Sequence, residues 1–159
     1  MRPAACVLAL GLLAAACGSS SGSASCEPII REELDPSSSV HVLPTATEVE
    51  YASDPPTSGP HQPTPELVGR QNAALPRPVQ VGVIEDGEIL LQFDPAAFPD
   101  PSQLDAVAEA PVVDAPNSDL NDPVVLTAWT AKQTCSELDA AAVQTFVEER
   151  AGKAPGSDG

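Results

Sequence analysis

The chain has 159 residues with 23 acidic and 7 basic side chains, a formal net charge of −16. That surface repels nucleic-acid phosphates and anionic lipid headgroups, which excludes nucleic acid as a partner; it serves solubility, or else a cationic ligand or a basic partner. The length leaves room for one small domain with a single core.

Residues 1–16 read as a signal peptide: Met1-Arg2 precedes an apolar run of about a dozen residues, too short to span a bilayer. The run closes as Leu13-Ala14-Ala15-Ala16-Cys17-Gly18. Small residues before a cysteine resemble a bacterial lipobox, with Ala14 standing where leucine is usual. The resemblance implies cleavage before Cys17 and lipid on its thiol; the alternative is ordinary signal cleavage. Two or three palmitate-type chains on one cysteine anchor stably, whereas a single chain binds marginally. Residues 17–25 are almost wholly Gly, Ser and Ala after Cys17, a flexible leash between lipid and domain.

Of the four cysteines, Cys6 leaves with the signal and Cys17 takes the lipid, so Cys26 and Cys135 remain. An even pair in an exported domain suggests a disulfide. Closing so long a loop contributes up to ~4.7 kcal/mol in the chain-entropy model. Ligation of a metal by the two thiols is the alternative, but it lacks the paired spacing of a zinc site.

Residues 26–39 mix charge, proline and serine without periodicity and are expected to be an irregular lead-in. Short β-branched runs at 40–43 and 47–51, interrupted by Pro44, are predicted strand ends. A long loop over 52–78 follows, with proline stops at Pro63 and Pro65. Residues 80–84 and 88–93 flank Asp86-Gly87 and predict a hairpin with a tight turn. Asp100-Pro101-Ser102-Gln103 has an N-cap acid and a first-turn proline, predicting a short helix to Ala110 that buries Leu104 and Val107. The apolar run over 123–129 predicts an interior strand, with Trp129, the only tryptophan, in the core. Ser136-Glu137-Leu138-Asp139 opens a last helix that turns Leu138, Ala142 and Phe146 to one face. The globular domain is expected over residues 40–151 and a flexible tail over 152–159. Two helices, several strands and no βαβ alternation or repeat give an α+β domain on an antiparallel or mixed sheet.

Within the long loop, Asp54-Pro55-Pro56-Thr57-Ser58-Gly59-Pro60-His61 combines residues that fix φ with one that frees it. The segment is expected to be rigid, with the Thr57 and Ser58 hydroxyls closing turns onto nearby backbone and Pro60 aiming the His61 imidazole. It is either a structural turn or a site. His41 and His61 are the only histidines, and neither has a partner at a metal-ligand spacing. If strand, loop and the Glu85-Asp86-Gly87 turn fold together, His41, His61, Glu85 and Asp86 converge on one ion. No serine elbow, phosphate-binding glycine loop or Cys-x-x-Cys occurs, so no cofactor is called for and hydrolase, nucleotide and redox chemistries lack their residues.

Tyr51, the Pro55-Pro56-Thr57-Ser58-Gly59-Pro60-His61 core, Gly69, Glu85 to Gly87, Ala128-Trp129 and Cys135 make the stretch from His41 to Pro155 resemble the domain of unknown function 3105 family. The resemblance implies a small exported or membrane-anchored bacterial domain and supplies no reaction. A second family hallmark, His-x-Leu-Glu-His-Gly, falls on Gly82-Val83-Ile84-Glu85-Asp86-Gly87, so Gly82 and Asp86 replace its two histidines. A degenerate or metal-free member is implied, in which Asp86 is able to act as an oxygen ligand for a harder ion. Two readings result. The first is a lipid-anchored, non-enzymatic envelope domain, on the membrane by its lipid, that binds an envelope protein or a cationic ligand through the proline-rich loop. The second is a metal-binding domain or metal-dependent enzyme using His61, His41 and the Glu85-Asp86 turn, with metal-bound water as the reactive species.

Overall fold

The computed structural model describes residues 25–45, 49–63 and 67–158. The signal segment, Cys17, the linker before Ser25, Pro65 and residues 47 and 48 of the expected second strand lie outside them.

Apolar runs in β3 (Ile89–Phe93) and β5 (Val124–Ala128), with the more polar β4 (Val112–Pro116) and β6 (Ala131–Cys135) beside them, build the centre of a six-stranded sheet. Two-residue strands close its edges, β1 (Ile30–Arg31) beside β6 and β2 (Gly69–Arg70) beside β4, in the order β1-β6-β5-β3-β4-β2. β3 runs parallel to β4 and antiparallel to β5, so the sheet is mixed. With two helices, the domain is α+β as expected.

Alternation along the strands sorts side chains to two covered faces. Ile89, Leu91, Phe93, Val124 and Leu126 meet Leu104, Val107 and the helix α2 (Ala140–Arg150) through Val143 and Phe146. Leu90, Val113 and Ala115 meet Val83 and Ile84 of the helix α1 (Arg77–Glu85), with Leu67, Leu75 and Trp129 at the margin. The functional geometry lies on this second face. β5 is buried along its whole length, as the apolar run predicted.

Several expectations are overturned. Residues 80–84 are not a hairpin strand but the body of α1, with Asp86 as its C-cap and Gly87 following at φ 94°. Pro76 at the N-cap and Pro78 in the first turn remove ladder donors and suit a helix start. A glycine at positive φ ends a helix as readily as it turns a hairpin, with Gly87 N donating to Ile84 O at 3.2 Å. The stretch therefore satisfied strand and helix signals alike; covering the inner strands with Val81, Val83 and Ile84 decided for the helix. The expected helix after Asp100 is only a 3₁₀ turn (Pro101–Leu104) capped by Asp100; Leu104 within it and Val107 beyond it are buried as expected. Residues 40–43 hold only one parallel bridge, His41 to His61, and residues 49–51 form no strand.

The lead-in contributes β1, whose Ile30 and Arg31 pair with Lys132 and Ala131. Trp129 is partly buried at the sheet margin, not in the core. The last helix starts one cap later than expected, with Asp139 accepting from Ala141 N and Ala142 N at 3.0 and 3.1 Å. Nor is the tail free: Gly152 N donates to Gly87 O at 2.8 Å, and a 3₁₀ turn (Pro155–Asp158) sits on the end of α1. Gly156 lies so close there that a Cβ would fall 2.7 Å from the Glu85 carbonyl oxygen. Cys26 and Cys135 are disulfide-bonded, S–S 2.07 Å, tying the start of the described chain to the end of β6. A bond of this kind belongs to an oxidising, extracytoplasmic setting. Among the described residues no helix is long and apolar enough to cross a membrane.

Candidate functional site

The proline-rich loop is a clamped scaffold. Pro55, Pro56, Thr57, Ser58 and Gly59 are buried, and the Asp54-Pro55 peptide is cis. Thr57 and Ser58 do not close local turns as expected; they reach the lead-in more than twenty residues earlier. Thr57 Oγ1 donates to Glu32 Oε2 at 2.6 Å, and Ser58 Oγ accepts from Asp35 N at 3.0 Å. Glu32 also accepts from Ser53 Oγ at 2.5 Å and pairs with Lys132 Nζ at 3.1 Å. Burial opposes its charge, yet those three donors and the lysine charge outweigh it and hold the carboxyl below its ordinary 4.5. Ser38 Oγ accepts from Gly59 N at 3.0 Å, and the Tyr51 hydroxyl donates to Pro60 O at 2.6 Å. Thr57 O accepts from Thr130 N in the β5–β6 turn at 2.9 Å. The motif thus lies between lead-in and sheet, with its Thr57 and Ser58 hydroxyls bonded to the lead-in.

What this scaffold delivers is His61, 2% exposed. Its backbone is fixed by His61 N donating to Val40 O at 3.0 Å and Val42 N donating to His61 O at 2.8 Å. That bridge sets the His41 ring edge-on to His61, with centroids 4.8 Å apart. His61 Nδ1 lies 3.2 Å from Gly59 O. A carbonyl only accepts, so Nδ1 carries the hydrogen and a neutral ring presents Nε2 as an acceptor. Nε2 is buried, has no hydrogen-bond partner among the described residues, and faces Glu85 Oε2 at 3.9 Å.

Two adjoining hollows meet at these groups. One, of about 450 Å³, runs between the lead-in turn, Trp129 and Pro155, with His41, His61 and Glu85 on its wall. The other, about 260 Å³, is lined by His41, His61, Pro63, Gly82, Glu85 and Asp86. All four residues expected to converge, His41, His61, Glu85 and Asp86, therefore share one hollow. They do so because α1 presents Glu85 and Asp86 at its C-terminal end, not because a hairpin turn does. The positions where the resemblance puts histidines, Gly82 and Asp86, lie one helical turn apart and both line it. No three or more His, Cys, Asp or Glu side chains among the described residues are arranged to hold a metal ion.

Sequence reasoning did not place Leu34, Asp35, Pro36 and Ser38 at the site. Their only signal was an Asp-Pro-Ser-Ser-Ser turn composition, common to any loop. Trp129 was assigned to the core because a lone tryptophan in an apolar run reads that way, whereas the two-residue turn after β5 swings it to the cleft.

Comparison with known protein families matches residues 41–158 to one described as Protein of unknown function (DUF3105). No curated protein and no solved structure matches the chain. The match runs from His41 in the cleft to the final 3₁₀ turn and covers most of the chain, which therefore belongs to the domain of unknown function 3105 family.

Proposed function

We propose that this protein is a lipid-anchored extracytoplasmic binding module whose ligand sits in the cleft between the lead-in turn, Trp129 and the C-terminal end of α1. The observation that carries this reading is His61 Nε2, a buried acceptor with no partner among the described residues, held at the wall of the 450 Å³ hollow. A buried polar atom costs about 1–3 kcal/mol when unsatisfied, so a fold that clamps one at a cleft favours a ligand that satisfies it. The lipobox at Cys17 and the extracytoplasmic disulfide support the location. Cys17→Ser is expected to move the full chain from the membrane to the soluble fraction and to abolish incorporation of labelled palmitate; retention at the membrane refutes the anchor. A thermal-shift screen of chemically mixed fragments against the full chain is expected to give stabilising hits that His61→Gln loses. Hits unaffected by that change refute the cleft.

A second reading rests on the convergence of His41, His61, Glu85 and Asp86 on the 260 Å³ hollow. It makes the site a divalent-cation centre, completed by side-chain movement, since two imidazoles and two carboxylates supply a mixed N/O ligand set. Metal analysis of the purified full chain beside His61→Ala decides it: a stoichiometric metal lost in the variant supports the centre, and its absence after supply of candidate ions refutes it.

A further inference from the structure

Resting on the binding reading above, we propose that the cleft takes an organic ammonium ion with an apolar body, its N–H groups bridging His61 Nε2 and Glu85 Oε2. With the ring neutral and its hydrogen on Nδ1, both atoms are acceptors, and they face one another across 3.9 Å, too far for a bond between them. One group with two donor hydrogens, about 2.9 Å from each, is able to span acceptors at this separation, as an ammonium nitrogen does. Glu85 keeps 23% of its side chain exposed to the cleft, whereas Nε2 is buried, so a ligand reaches both through an outward movement of the Glu85 side chain.

The walls select the rest of the ligand. Leu34, Pro36, Pro155 and Trp129 give an apolar lining beside the acceptors. Trp129 shares this wall, and an indole face attracts a charged nitrogen that comes within about 6 Å of it. Asp35 and Glu85 repel anions, as does the −16 charge of the chain. A neutral alcohol brings one O–H donor and satisfies one acceptor only. A metal ion asks for three or more ligands set around it, an arrangement the described residues reach only by side-chain movement.

Trp129 is the only tryptophan in the chain, so its fluorescence reports the cleft directly. The full chain in detergent is titrated with 2-phenylethylammonium, 2-phenylethanol and 3-phenylpropionate, each to about 10 mM, the weak end for fragments of this size. The ammonium is expected to give a saturable change at least about tenfold tighter than the alcohol, and the carboxylate none. Glu85→Gln is expected to weaken the ammonium about tenfold and leave the alcohol unchanged. The ¹⁵N resonance of His61 Nε2 is expected to shift with the ammonium alone; this test uses the native chain and holds if the variant fails to fold. An alcohol as tight as the ammonium, an Nε2 resonance that does not respond, or an equal loss of all probes in a folded Glu85→Gln overturns the ammonium assignment and leaves the cleft standing. No saturable change with any probe overturns both.

Discussion

The Tyr51 ring lies directly against Gly59: a Cβ on that glycine would fall 2.9 Å from Tyr51 Cδ1, and Gly59 itself adopts φ +126°. Two penalties therefore meet at one residue, a backbone conformation that L side chains rarely adopt and a steric conflict with a ring held by its own hydrogen bond to Pro60 O. The direction in which His61 leaves the loop depends on both.

Gly59→Ala is accordingly expected to cost about 2–4 kcal/mol, the sum of strain at a special φ and overpacking. Urea unfolding measures it. A loss under about 0.5 kcal/mol, the size of an ordinary surface change, refutes the close packing.

Burial drives the Tyr51 hydroxyl up to about 12 from its ordinary 10.0, with Arg77 opposing and Asp35 assisting. The folded state thus favours the protonated phenol. Its contribution is fully present below pH 10 and is lost as pH rises from about 10 through about 12. Tyr51 is the only tyrosine, so phenolate absorbance of the whole protein titrates this residue alone. The midpoint is expected near 12 in the folded protein and near 10 in denaturant. Tyr51→Phe is expected to lose less stability across that window than the native chain; equal losses contradict the assignment.

Glu32 gives the opposite sign. Its carboxyl sits below 4.5 in the fold because Ser53, Thr57 and Lys132 stabilise the charged form. The stability it adds is present above pH 4.5 and lost as pH falls through the lowered value. Glu32→Gln leaves Lys132, with 8% of its side chain exposed, without its carboxylate partner. The expected loss at neutral pH is about 2–3 kcal/mol, under the range for a fully buried pair because Glu32 is partly exposed. Adding Lys132→Met should recover part of it. A double variant no more stable than Glu32→Gln alone argues against a buried pair.

The Cys26–Cys135 bond spans 109 residues of chain. Replacing both with serine, or reducing the native protein, is expected to cost about 3–5 kcal/mol, by the loop-closure model and by the usual cost of losing a native disulfide. The edge strand β1 should open first, since Cys26 leads into it; hydrogen exchange at Ile30 and Arg31 reads this. Protection at β1 unchanged by reduction counts against that role.

Much of this was legible in the residues themselves. The disulfide followed from the two cysteines left once the expected signal and lipid site were set aside, the buried strand β5 from a continuous β-branched run, and α2 from its apolar spacing, because each signal is local or counted along the chain. The small mixed α+β class followed from the same elements. The 80–84 segment misled because β-branched residues before an Asp-Gly satisfy strand and helix patterns equally, and only the inner strands it covers distinguish them. β4 and β6 passed unread; Asp114 interrupts the one and Lys132, Gln133 and Thr134 fill the other. Polar residues are tolerated there because Arg70 pairs with Asp114, and Glu32 with Lys132, from distant parts of the chain.

The sequence by itself determined that the Pro55 to His61 motif would be rigid, since proline and glycine act on the backbone they belong to. It also named the four side chains that meet at the smaller hollow. Only the tertiary structure decided that the motif's hydroxyls bond to Glu32 and Asp35, that Trp129 lines the cleft, and that His61 Nε2 faces Glu85. Those contacts join residues far apart in the chain, and no local propensity encodes which remote carboxylate or carbonyl a buried polar atom will meet.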